Sequence, residues 1–145
     1  MRARFLVLLL ALTSLLSSAV QASDNVWSGL VVATNVTNPA PLPAEMHRMK
    51  GTLERTFGYN QFELIGQARK TLRSGEENWL ASSKHFSLHV DSRGATHDGY
   101  RLKLDLYQDH QVLLETDATL SKSSPLVVKG PQIGAGQLLL LLVVQ

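Results

Sequence analysis

Five histidines, His47, His85, His89, His97 and His110, are the side chains of this 145-residue sequence best suited to metal binding or acid–base work. Only His85 and His89 share a predicted element. Residues 85–91 alternate, with Phe86, Leu88 and Val90 apolar and His85, Ser87, His89 and Asp91 polar, which predicts a half-buried strand. At ~3.3 Å per residue the two imidazoles stand ~13 Å apart on one face, too far to share a metal ion unless neighbouring strands add ligands. His85 and His89 are thus the metal candidates only in that form. Ser87, His89 and Asp91 have the residue types of a nucleophile, a base and an orienting acid, but alternate side chains of a strand run parallel and do not converge. His97-Asp98 and Asp109-His110 fall in predicted turns, where Asp is favoured by backbone geometry alone.

Other routes to chemistry close quickly. The sequence has no cysteine, so neither a thiol nucleophile nor a thiolate metal site can form. The glycine-rich stretch 130–136 leads into an apolar run with strand character, whereas a phosphate-cradling loop needs a following helix. The acids Glu76, Glu77, Glu115 and Asp117 form no carboxylate pair by spacing. No catalytic residue and no cofactor is assigned.

The elements that would position any site are clearer. Leu138, Leu139, Leu140, Leu141, Leu142, Val143 and Val144 run without a polar break. A bilayer span needs ~20 apolar residues, so this run predicts a central strand buried on both faces. Such a strand needs cover from two layers, either a helix and a second sheet or a partner chain. Met46, Met49, Leu53 and Phe57 form one stripe of a predicted helix over 44–57, opened by Pro43 and stopped by Gly58. The stripe reads first as core packing, with Met46 and Met49 as partner contacts in the alternative reading.

Period-two alternation dominates elsewhere. It predicts strands over 61–72, 85–91, 100–107 and 111–120, with short pieces at Trp79-Leu80 and 126–128, and the β-propensity of Val and Thr predicts a first strand over 26–34. Residues 74–78 and 92–99 read as connecting turns. In the strand 111–120, Val112, Leu114, Thr116, Ala118 and Leu120 share one face. Leu113 falls on the other, so Leu113 and outward-facing Tyr107 are candidate partner contacts. The expected fold is α+β and mainly β: an antiparallel sheet or sandwich of six to seven strands with one amphipathic helix packed on it.

Residues 1–22 have the form of a secretory signal peptide, with Arg2 and Arg4, an apolar run from Phe5 to Leu16 and a Val20-Gln21-Ala22 cleavage site. The expected mature domain is 23–145. Loss of Arg2 and Arg4 brings the 14 Lys and Arg down to match the 12 Asp and Glu. The basic side chains Arg48, Lys50, Arg55, Arg69, Lys70 and Arg73 are diluted by Glu45, Glu54 and Glu63, so no nucleic-acid-binding stripe is expected. Asn35-Val36-Thr37 is a glycosylation sequon, of consequence only in a host that modifies such sites.

From Leu53-Glu54-Arg55-Thr56-Phe57-Gly58-Tyr59 through Leu126-Val127-Val128-Lys129-Gly130-Pro131 to the terminal apolar strand, the chain resembles small exported bacterial β-rich domains. That resemblance implies an envelope location and transfers no site residue. The expected function is a periplasmic or secreted, non-catalytic module that binds another envelope protein, with self-association left open. The alternative is a small-ligand or metal-binding protein, possibly hydrolytic, using the His85 and His89 face.

Overall fold

The computed structural model describes residues 24–72, 75–79 and 85–145. The expected signal peptide lies outside the described residues. Among the described residues there are eight strands: β1 (Asn25–Thr34), β2 (Gln61–Thr71), β3 (Gly75–Trp79), β4 (Phe86–Ala95), β5 (Gly99–Gln108), β6 (Gln111–Ser121), β7 (Leu126–Ile133) and β8 (Gly136–Val144). They form two antiparallel four-stranded sheets, ordered β2-β1-β8-β7 and β3-β4-β5-β6. Around the molecule the strands follow chain order, and the last returns to pair with the first. Two seams, β2/β3 and β6/β7, separate the sheets.

The helical segment occupies the expected residues but is wound in two ways. Ala44–Met49 is a 3-10 helix, and α1 (Lys50–Phe57) continues it as an α-helix. Gly58 ends it in the left-handed region, φ 68°, where its N–H donates to Glu54 O at 3.1 Å. A glycine is suited to that position because an L side chain disfavours it.

Packing explains the terminal strand. One face of β8 and β1, carrying Leu138, Leu140, Leu142, Val26 and Leu30, meets Leu88, Val90, Leu102, Leu104, Leu106 and Leu120 from the second sheet. The opposite face, carrying Leu139, Leu141, Trp27 and Val31, meets Met46, Met49 and Leu53 from the helical segment. The two-sided cover that seven successive apolar residues require is therefore supplied by the helix and by the second sheet. Burying each large side chain in this way is worth about 1.5–3 kcal/mol relative to exposure.

Several local expectations change. Gly75–Trp79, read as mostly turn, is a strand because β4 supplies its ladder, from Gly75 opposite Ser92 to Trp79 opposite Leu88. β4 runs on to Ala95 through an irregularity between Ser92 and Gly94, which takes in the first half of the expected loop. Gly130-Pro131 is not a turn either. It falls in the register shift between Lys129 and Gln132 inside β7, where a proline is tolerated because the ladder is already broken. Buried Gln137 fills that gap, donating through Nε2 to Gly130 O, to Pro131 O at 3.3 Å and to Leu138 O at 3.1 Å.

Candidate functional site

The two outer surfaces of the sandwich are finished differently. The helix covers the first sheet, whereas β4, β5 and β6 present a polar face to solvent. Cross-strand register arranges that face in rows: His89 opposite Asp105 opposite Glu115, then Asp91 opposite Lys103 opposite Asp117, then Arg101 opposite Thr119. Asp105, Glu115 and Asp109 lie toward the β5–β6 hairpin with His85, His89 and His110, while Asp91 and Asp117 stay beside Lys103. Basic side chains gather toward the other end.

At the hairpin end, Asp109 and His110 form the two-residue turn, both with positive φ, 46° and 72°. That pairing of dihedrals matches the tight turn whose twist suits adjacent strands. His85 Nδ1 lies 3.2 Å from Asp109 Oδ1, and Asp109 N–H donates to His85 O at 2.9 Å. His89 packs its ring on Tyr107, with centroids 5.2 Å apart. Ser87, His89, Tyr107 and His110 line a shallow depression of about 300 Å³.

This geometry sorts the sequence candidates. His85 and His89 do not converge: one bonds a turn aspartate and the other meets a tyrosine ring tilted by 59°. Among the described residues no group of three or more His, Asp and Glu is placed to hold a metal ion. Met46 and Met49 are 0% and 3% exposed, so their partner-contact reading gives way to core packing. Tyr107 does face outward. Leu113 does not present itself as expected, because the ladder slips between Leu106 and Tyr107: Leu106 pairs Leu114 while Tyr107 pairs Val112. The extra residue turns Leu113 onto the inter-sheet core and leaves Val112 46% exposed. Strict alternation had put each of these two residues on the wrong side.

At the other end, the β4 irregularity makes Arg93 the extra residue and sets Gly94, φ 129°, opposite Arg101. Arg93 Nε donates to Asp91 Oδ2 at 2.8 Å. Arg101 Nη2 lies 3.9 Å from where a Cβ on Gly94 would stand, so its guanidinium reaches over the bare backbone of the irregularity. Among the described residues the Arg101 side chain has no hydrogen-bond or ion-pair partner. Arg93, Arg101, Leu102, Asp117, Ala118 and Thr119 line an open depression of about 540 Å³. Sequence reasoning missed this pair of arginines, since only the register shift brings them together.

A third cluster clasps the sheets at the same end. Tyr100 O–H donates to the Asp24 carboxylate, Lys122 Nζ lies 3.3 Å from Asp24 Oδ2, and Lys122 stands 5.5 Å above the Tyr100 ring. The Tyr100 hydrogen bond, helped by Lys122, holds the Asp24 carboxyl below the usual range despite desolvation. The same bond to Asp24, then burial, pushes the Tyr100 phenol up, and the bond to Asp24 raises Lys122.

No protein family, curated protein or solved structure matches this chain. The architecture and the side chains are therefore the whole basis for a functional reading. No helix among the described residues is long and apolar enough to cross a membrane.

Proposed function

We propose that this chain is an exported, non-catalytic domain that docks another protein of the cell envelope through the outer face of the β3-β4-β5-β6 sheet. The observation that carries the reading is the contrast between the two outer surfaces, one covered by the helix and one left open. The open face is polarised along its strands. Arg93, Arg101 and Lys103 lie toward one end, where Asp91 and Asp117 flank Lys103, with Asp105, Asp109 and Glu115 toward the other, and Tyr107 and Val112 add apolar contact near the hairpin. Such a surface fits a protein partner with the opposite polarity, for which charge fixes orientation and encounter rate more than affinity. The export half of the proposal rests on residues 1–22.

Site-specific photocrosslinking in the native host tests it. A photoreactive residue at Tyr107 or Lys103 is expected to capture one envelope protein, whereas the same residue at Thr52, exposed on the helix, captures none. Charge reversal at Lys103 should reduce that capture. Capture from Thr52 alone, or equal capture from all three positions, overturns the proposed surface.

A further inference from the structure

We infer that the depression between Arg93 and Arg101 is a carboxylate-binding site. Both arginines line it because of one feature of the backbone. The register shift in β4 adds Arg93, and Gly94 leaves room for Arg101 to lie beside it. Arg93 spends its Nε on Asp91 at 2.8 Å, and its two terminal nitrogens remain as donors. The Arg101 side chain keeps all five of its donors free among the described residues. Exposed Thr119, opposite Arg101 in register, adds a hydroxyl at the rim.

Charge selects the class of ligand. The lining of the depression carries two cations, Arg93 and Arg101, against one carboxylate, Asp117. One positive charge is left uncompensated, which matches a monoanion. A phosphate dianion would exceed that charge and meet Asp117 on the depression wall. The planar guanidinium fork pairs with a planar carboxylate through two parallel hydrogen bonds. That the carboxylate belongs to the docked protein, as an Asp or Glu side chain or a free C-terminus, rests on the docking reading above.

Nuclear magnetic resonance titration of the mature chain is the direct test, following the arginine Nε–H signals and the Gly94 and Thr119 amides at fixed ionic strength. N-acetyl-glutamate amide stands in for a side-chain carboxylate and N-acetylglycine for a C-terminus, with chloride and phosphate as controls. Saturable shifts at these groups with one of the two carboxylates are expected, and which one saturates tells the two sources apart. Arg101→Gln should weaken binding by about tenfold or more through loss of the fork, and Arg101→Lys should restore little of it. Arg93→Gln provides a second variant, and matched thermal unfolding establishes that each variant folds. Shifts that stay linear, that survive in Arg101→Gln, or that are stronger with phosphate overturn the site. Loss of the site with crosslinking from Tyr107 unchanged would refute this inference alone and leave the docking surface standing.

Discussion

The indole of Trp27 reaches across Gly29 on the same face of β1, so that a Cβ built on Gly29 would stand 2.8 Å from the indole Cζ2. Gly29 pairs with Gln67 on β2, and Trp27 Nε1 donates to Gln67 Oε1 at 3.1 Å. The glycine is thus the floor over which the indole reaches its acceptor. Gly29→Ala should destabilise the domain by about 1–3 kcal/mol, as overpacking does. Urea unfolding checks this. Combining it with Trp27→Leu should give a cost well below the sum of the two, because the colliding partner is gone.

Stability should fall at both ends of the pH range through the Asp24, Tyr100 and Lys122 clasp. The folded pKa of Asp24 lies below 3.8, so its contribution is complete above that value and is lost as pH falls through the folded pKa. The folded pKa values of Tyr100 and Lys122 lie above 10.0 and 10.5, so their contributions are complete below those values and are lost as pH rises through the folded ones. Tyr100→Phe should cost about 1 kcal/mol at neutral pH. It should also make both limbs of a stability–pH curve shallower. Unfolding midpoints that trace the wild-type limbs in Tyr100→Phe would contradict the assignment.

His110→Gly should stabilise the domain by about 1 kcal/mol, the cost of holding an L side chain in the left-handed region. Asp-Gly is a favoured sequence for this turn. The gain should appear as a higher thermal midpoint. An unchanged or lower midpoint would mean that the imidazole, on the wall of the Ser87, His89 and Tyr107 depression, contributes packing that the glycine loses.

Gln137→Ala should be costly out of proportion to its size. Its amide serves carbonyls at the β7 irregularity, and its side chain is buried. Leaving those acceptors without a donor costs about 1–3 kcal/mol. Denaturant unfolding measures the loss, and amide exchange should quicken around Lys129 and Gln132.

The fold was legible wherever one residue pattern repeats long enough to require a surface. Leu138 to Val144 demanded cover on two faces, and Met46, Met49 and Leu53 demanded a neighbour for one stripe; the structure satisfies each demand with the other. What stayed hidden are the places where pairing, not pattern, decides. Gly75, Glu76, Glu77 and Asn78 have turn-forming or weakly β-forming identities and become a strand only because β4 lies alongside. Gly130-Pro131 has the composition of a turn and serves as an interruption within β7. A single slipped residue exchanged the environments of Val112 and Leu113, and another brought Arg93 to Arg101, so the candidate site depends on two irregularities that alternation cannot reveal.

The return of β8 to β1 also governs when the domain can fold. Val26 pairs with Val144, and this antiparallel ladder joins the two most apolar strands at opposite ends of the domain. The β4-β5-β6 hairpins close over short distances and can form early. β1 can pair with β2 along one edge, but its other edge must wait for the final strand, which puts loop closure across nearly the whole domain in the slow step. In a protein threaded through an export channel from its N-terminus, β1 would emerge first and complete its sheet last. During that interval its unpaired edge is open to unwanted pairing, so the yield of folded protein from such an export route would depend on keeping that edge apart until β8 is released.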